Sequence, residues 1–161
     1  MSKTIYSPSP LDDFFQWISN QMMVDGSFQR ENVWSTLQKR SFITSVLFER
    51  AITPFVLADI ESAIQTSEAE GDELGVQILK DQYTNGFRYS ILDGQNRRAT
   101  VVEFLSDKFT ISGTFCDADG DEQSCNNVFF SDLPQRLKDK FMSSHIPLTY
   151  VYRRAYEEMS E

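Results

Sequence analysis

Histidine, cysteine and long apolar runs are scarce in this sequence of 161 residues. The one histidine, His145, excludes a histidine-rich metal site, and Cys116 and Cys125 have no second cysteine pair with which to complete a metal cage. No apolar run approaches the roughly 20 residues of a membrane-spanning helix. The N-terminal segment MSKTIYSPSP lacks the apolar core of a secretory signal. We therefore expect a cytoplasmic protein with reduced thiols.

Basic residues are also few: 15 lysines and arginines stand against 24 acids, which gives a net charge of −9. Five acids lie between Glu61 and Gly75 and four between Cys116 and Cys125, and neither segment contains a base. These two segments account for the whole net charge, so the rest of the chain is neutral. Duplex nucleic acid is normally bound through a clustered basic surface, which is not expected here. The charge distribution does not exclude a local phosphate-binding site.

Apolar spacing indicates several helices. Ser9 and Pro10 suit the cap and first position of one helix, whose buried stripe would be Leu11, Phe14, Phe15, Ile18 and Met22. A second helix is predicted from about Thr36 to Arg50, opening on a capping box of Ser35 and Gln38 and burying Phe42, Ile43, Val46 and Leu47. Further helices are predicted at Gln95–Ser106 and from Ser131 or Asp132 onward, the last burying Leu133, Leu137 and Phe141.

Strands are predicted between these helices, at FVLADI (Phe55–Ile60), Phe87–Leu92, Phe109–Phe115, Asn127–Phe130 and Ile146–Tyr152. The polar stretch of about 61–82 is interpreted as a partly helical acidic insertion that Gly71 and Gly75 interrupt. CDADGDEQSC, at about 116–125, is interpreted as an acidic hairpin tip. The alternation of helices and strands predicts one mixed α/β domain over 1–161, with a small mixed sheet and flanking helices.

The acidic tip admits a second interpretation, because Asp117, Asp119 and Asp121 alternate as in a calcium-binding loop. Glu122 stands where that loop requires glycine, and no glutamate follows at the twelfth position. A solvated tip is therefore preferred. His145 is interpreted as a strand-boundary residue.

The most informative stretch is SILDGQNRRATVVEFL, Ser90–Leu105, in which an apolar run ends in Asp-Gly and two arginines open a helix. The N-terminus of a helix carries partial positive charge and unsatisfied N–H donors, so Arg97 and Arg98 are unfavourable there unless an anion accompanies them. A phosphate would accept from the backbone donors and the guanidinium groups together. In the alternative interpretation, Asp93 caps the helix and the arginines are solvated or paired with acids.

The same residues resemble a known family. Asp93-Gly94-Gln95-Asn96-Arg97 is similar to the Asp-Gly-Gln-Gln-Arg signature in the N-terminal domain of GmrSD-type, modification-dependent restriction enzymes, with Asn96 in place of the second glutamine. Three other segments resemble that family's elements in the same order: Phe28-Gln29-Arg30 with Val33-Trp34, FITSVLFERAITPFVL, and FSDLPQRLKDKF. The resemblance extends from about residue 9 to residue 152, apart from the acidic insertion.

That family belongs to the ParB/sulfiredoxin-like superfamily, and Gly94–Ala99 also resembles the phosphate-contacting box of ParB proteins. The resemblance implies a domain that binds a nucleoside triphosphate, with Mg²⁺, and hydrolyses it within a DNA restriction system of phage defence. Carried over by position, the catalytic residues would be Asp93, Gln95 and Arg97, with Asp93 holding the metal. The nucleotide-binding residues would be Gln29, Arg30, Gly94, Asn96, Arg97 and Arg98.

The sequence departs from the family at its end: YRRAYEEMSE stands where family members continue into a Phe-x-Arg-x-Asn-x-Gly element. No nuclease motif is present, so DNA contact is expected only through a complex, with a nuclease subunit as the expected partner. The alternative is a non-catalytic protein-binding module of the same fold, which engages such a partner through its acidic surfaces. Arg30 is expected in the site, whereas Trp34 and Trp17 are expected to be structural.

Overall fold

The structure is a computed structural model that describes residues 2–18, 22–23 and 33–153. Its helices are α1 (Leu11–Asp13), which continues into a π-helical turn (Phe14–Ile18), α2 (Thr36–Leu47), α3 (Ile60–Glu70), α4 (Glu73–Thr84), α5 (Gln95–Leu105) and α6 (Gln135–Ser143), the last preceded by a 3₁₀ turn (Phe130–Asp132). Its strands are β1 (Ser2–Tyr6), β2 (Ser9–Pro10), β3 (Met22–Met23), β4 (Phe55–Asp59), β5 (Tyr89–Asp93), β6 (Ile111–Cys116), β7 (Glu122–Val128), β8 (His145–Ile146) and β9 (Leu148–Arg153).

Five strands form a mixed sheet in the order β1-β9-β4-β5-β3. β9 is antiparallel to β1 and parallel to β4, whereas β5 is antiparallel to β4 and parallel to β3. Two further two-stranded sheets pair β2 with β8 and β6 with β7. The chain is therefore a mixed α/β protein with small sheets, as the alternation of helices and strands predicted.

Helix α2 opens as predicted, because the Ser35 side chain accepts from the Gln38 N–H and the Gln38 side chain accepts from the Ser35 N–H. Its buried residues are the predicted ones: Phe42, Ile43, Val46 and Leu47. The helix ends at Leu47 rather than Arg50, since the chain turns at once through Glu49, which has a positive φ of 57°. The segment that follows leads into β4.

The predicted first helix is only partly right. Ser9 and Pro10 pair with Ile146 and His145 of β8, and the Ser9 hydroxyl donates to the Pro10 carbonyl instead of capping the helix. Leu11 and Phe14 are buried as expected, but the predicted stripe does not reach Met22, which lies in β3 beside β5. Strand pairing supplied from the far end of the chain overrides the local helix-start signal.

The polar stretch predicted at 61–82 forms a helical hairpin of α3 and α4. Gly71 separates them in the left-handed conformation, with φ 73°, so one predicted interruption is confirmed. Gly75 does not interrupt: it lies in the first turn of α4, where its N–H donates to the Asp72 side chain over 3.0 Å. Lys80 of α4 pairs with Glu68 of α3 at 3.2 Å. Asp72 therefore caps α4.

The predicted acidic hairpin is confirmed, but its second strand begins at Glu122 rather than Asn127, so β6 and β7 are joined through a shorter tip at 117–121. Asp117 is buried inside the tip, and one of its carboxylate oxygens accepts from the N–H groups of Asp119 and Asp121 at 2.9 and 3.0 Å. Arg136 of α6 places its guanidinium 3.1–3.9 Å from the three aspartates of the tip, Asp117, Asp119 and Asp121. A cation from the chain itself therefore occupies the position that the calcium interpretation assigned to a metal.

The two cysteines are not opposite each other in this hairpin. Cys116 is paired with Glu122, and Cys125 with Gly113. Cys125 is buried, and that burial raises the pKa of its thiol, whereas Cys116 is exposed. Both are free thiols.

The hairpin tip is expected to loosen in acid. Burial by itself raises the pKa of Asp117, but hydrogen bonds from the Gln123 side chain and from the Asp121 and Asp119 N–H groups, with Arg136 nearby, outweigh it and leave the pKa lowered. A lowered folded-state pKa means that the stabilisation is complete above the ordinary value of 3.8 and is lost as the pH falls through the folded value. The backbone amide resonances of Asp119 and Asp121 should therefore titrate with a midpoint below pH 3.8.

Asp117→Asn is the matched variant, because it keeps one oxygen for the two N–H donors and removes the titrating group. It should abolish this titration in the two amides. A midpoint at or above the ordinary value in the wild-type protein would contradict the assignment.

The core is continuous from the sheet to α6. Leu133, Leu137 and Phe141 are buried as predicted, although α6 itself begins later, at Gln135, because a 3₁₀ turn and Pro134 precede it. The last predicted strand is divided into β8 and β9 at Pro147, which has no N–H to donate. His145 is the first residue of β8, as predicted.

No helix in the described ranges is long and apolar enough to cross a bilayer.

Candidate functional site

The predicted site centres on the start of α5, directly after β5. Gly94 is the residue between them, with φ 113° and ψ 12°, and as a glycine it has no side chain with which to cap the helix. A Cβ atom on Gly94 would lie 2.7 Å from Cδ1 of Phe55, the first residue of β4. Glycine is therefore required at this position for two reasons: the backbone conformation and the close approach of the Phe55 ring. The first N–H groups of α5 have no partner within the helix.

Arg97 is buried and turns toward the segment that leads into β4. Its guanidinium donates to the carbonyl oxygens of Thr53 and Pro54, the latter over 3.3 Å. It also lies 3.5 Å from the Asp93 carboxylate and 4.9 Å from the centre of the Phe55 ring. Burial lowers the pKa of Arg97, and the Asp93 charge partly offsets that effect. Arg97 thus fixes the entry to β4.

Arg98 is half-buried, and burial alone lowers the pKa of its guanidinium. Both arginines remain charged at neutral pH. Gln95 and Asn96, in the same turn, are also half-buried, and the Asn96 carbonyl accepts from the Thr100 hydroxyl over 2.6 Å. Two partly desolvated guanidinium groups therefore share the positive end of one helix.

Residues 93–98 lie together at the start of α5 because they are consecutive in the sequence, and the roles assigned to them stay predictions. Gln29 and Arg30 lie outside the described residues. Trp34 is half-buried against the core, with its ring 5.8 Å from that of Phe42, which confirms the structural role predicted for it. The side chain of Trp17 is also outside the described part of the chain.

Asp93 is the predicted metal ligand, and its side chain is 63% exposed. Within the described residues no group of three histidine, cysteine or acidic side chains is placed to hold a metal. A single carboxylate fits Mg²⁺ only where phosphate oxygens and water complete the coordination, as is usual for nucleotide-bound Mg²⁺. The ion pair between Asp93 and Arg97 would be exchanged when such a metal binds.

Sequence patterns did not indicate a cavity of about 440 Å³ beyond the end of α2. Its charged lining comes from Glu49, Arg50, Asp117 and Lys140, with Ile52 and His145 beside them. The Lys140 ammonium donates to the Cys116 carbonyl and lies 3.8 Å from the Glu49 carboxylate. Because these residues come from separate segments, no local motif could indicate the cavity.

The cavity and the start of α5 meet at one segment. Arg50 and Ile52 line the cavity, whereas Thr53 and Pro54 accept the hydrogen bonds of Arg97. None of the predicted site residues that the structure describes lines the cavity. Arg97 is therefore placed to hold in position a segment that borders both features.

Comparison of the chain with models of protein families, with curated proteins and with solved structures finds no match.

Proposed function

We propose that this protein binds the phosphate groups of a nucleoside triphosphate at the N-terminus of α5, within a ParB/sulfiredoxin-like domain. The observation that supports the proposal is the pair of partly desolvated arginines near the start of a helix whose N-cap residue is a glycine. A positive charge at the positive end of a helix is unfavourable; Asp93 offsets part of that cost at Arg97, and a bound phosphate would offset more of it. The resemblance of Asp93–Arg97 to the signature of GmrSD-type restriction enzymes points to the same chemistry.

The two arginines would have different roles in binding. One Arg97 nitrogen donates to the Thr53 and Pro54 carbonyl oxygens and another lies beside Asp93, so we treat Arg97 mainly as a positioning residue that contributes charge from within the fold. Arg98 is the guanidinium that we assign to the phosphate oxygens, together with the N–H groups of Gln95 and Asn96. Gly94 accommodates the Phe55 ring and adopts the backbone conformation of the turn that precedes these N–H groups.

Mg²⁺, when bound, would neutralise phosphate charge and polarise the bond to be broken. Asp93 would hold it as the one protein carboxylate, and Gln95, beside it in the first turn, would orient the attacking water. Hydrolysis of the nucleotide would then regulate a separate partner, for which a nuclease subunit of a restriction system is the proposed candidate.

Nucleotide binding is tested by calorimetric titration of ATP, GTP and CTP, with and without Mg²⁺. We expect saturable binding to the wild-type protein, weakened about tenfold or more in Arg98→Ala because a charge-assisted contact is worth about 1.5–3 kcal/mol. Arg98→Ala is preferable to Arg97→Ala, in which loss of folding would be confused with loss of binding.

Arg50→Ala is the matched control, since Arg50 is an exposed arginine that lines the cavity instead of opening α5. It should bind nucleotide as the wild type does. Binding that is lost in Arg50→Ala and kept in Arg98→Ala would move the site to the cavity, and no binding of any nucleotide would contradict the proposal. Release of inorganic phosphate that requires Mg²⁺ and fails in Asp93→Asn would extend binding to hydrolysis.

A further inference from the structure

Helix α4 has an apolar outer face that nothing in the described residues covers. None of the residues of α4 is buried. Leu74 is 72% exposed and Ile78 is 51% exposed, and four residues apart they are neighbours on one face. The half-buried residues Gly75, Val76, Leu79 and Tyr83 lie toward the other side, and half-buried Gln82 lies beside Ile78, four residues further on. The inner face therefore already packs on α3, and the outer face is unpartnered.

Acidic side chains border this apolar pair. Glu70 and Glu73 are exposed at the turn between the two helices, and exposed Asp81 lies on the same face of α4, three residues beyond Ile78. The stretch from Glu61 to Gly75 contains no base, and Lys80 of α4 is engaged with Glu68. The surface thus combines two aliphatic side chains with a rim of negative charge.

We propose that this surface, the outer face of α4 with Glu70, docks a basic amphipathic helix of another protein. The partner would place aliphatic side chains on Leu74 and Ile78 and lysine or arginine side chains against the acidic rim, as amphipathic helices do in apolar grooves. The negative charge of the rim favours a partner helix with positive charge. The inference is independent of the nucleotide proposal, since the outer face of α4 contains none of the residues assigned to phosphate.

Other occupants fit the charges poorly. Nucleic acid and anionic lipid surfaces both attract basic residues and would be repelled by the rim. A symmetric contact between two copies of this chain would place the same acids opposite each other. A basic helix is the partner that both the apolar pair and the rim attract.

The test uses a fluorescein-labelled synthetic helix of about 18 residues, with leucine on one face and lysine elsewhere. Its binding to the full chain is followed by fluorescence anisotropy. We expect saturable binding that weakens as salt is raised and that Leu74→Gln/Ile78→Gln weakens about tenfold or more, because the apolar contact is lost. A peptide with glutamate in place of lysine should not bind.

Controls separate docking from unspecific attraction. Leu37→Gln alters an equally exposed leucine, 76% accessible, on α2 and should leave binding unchanged. Glu70→Lys/Glu73→Lys should weaken binding and flatten its salt dependence. Asp72 is left intact because it caps α4. Binding that is insensitive to Leu74→Gln/Ile78→Gln, or self-association of the free chain that this double variant abolishes in sedimentation, would overturn the proposal.

Discussion

Replacing Arg97 with alanine is expected to lower the free energy of unfolding by roughly 1.5–3 kcal/mol, even with no nucleotide present. The buried guanidinium donates to the Thr53 and Pro54 carbonyl oxygens and pairs with Asp93 beneath the Phe55 ring. Alanine would leave both carbonyl oxygens without this donor and open a space beside the ring. Urea unfolding, analysed for a change in midpoint at constant slope, measures the effect.

The matched control is again Arg50→Ala, because the Arg50 guanidinium contacts the exposed Phe48 ring over 4.8 Å at the surface. Its loss should cost about 1 kcal/mol or less. Arg97→Lys should recover only part of the stability, since one guanidinium nitrogen donates to both carbonyl oxygens while a second lies beside Asp93, and a lysine ammonium has only one nitrogen. Equal stability of Arg97→Ala and the wild-type protein would show that Arg97 has no structural role.

Gly94→Ala is expected to destabilise the protein by roughly 2–5 kcal/mol, from two separate causes. The backbone at φ 113° disfavours any L side chain, and the new methyl group would lie 2.7 Å from Cδ1 of the fully buried Phe55. The ring cannot move without disturbing the core. The free energy of unfolding in urea again provides the measurement.

Gly86→Ala isolates the first cause, because Gly86 has φ 97° but nothing within 4 Å of its added Cβ. It should cost about 1–2 kcal/mol, the backbone penalty alone. Phe55→Leu removes the ring. In that background Gly94→Ala should lower the free energy of unfolding by less than it does in the wild-type protein, and a double-mutant cycle measures the difference. Equal costs at Gly86 and Gly94 would contradict the steric part of the explanation.

Much of the local structure follows from the sequence. The capping box at Ser35 and Gln38, the buried face of α2, and the hairpin around CDADGDEQSC were all predicted, because each depends on neighbouring residues and a fixed backbone period. The start of α5 after Asp93-Gly94 belongs to the same class, since glycine there supplies a backbone conformation that other residues disfavour. In these places local preference and tertiary packing agree.

Other features were decided by contacts between distant parts of the chain. Pairing with β8 made Ser9–Pro10 a strand and removed the predicted cap. Arg136, 15 or more residues away in sequence, pairs with the aspartates of a tip that alone looked like a calcium loop. The cavity beside Glu49, Arg50 and Lys140 exists only because α2, the hairpin and α6 meet there.

Arg97 illustrates both what the sequence determines and what only the tertiary structure decides. By itself the sequence determined that two arginines open α5 after Asp93-Gly94, and helix electrostatics made that position unfavourable without an anion. Only the tertiary structure decided that Arg97 turns inward to the Thr53 and Pro54 carbonyl oxygens, more than 40 residues earlier in the chain. The physical reason is that β4 and β5 are antiparallel neighbours, so the end of β5 and the start of β4 lie side by side, within reach of one guanidinium.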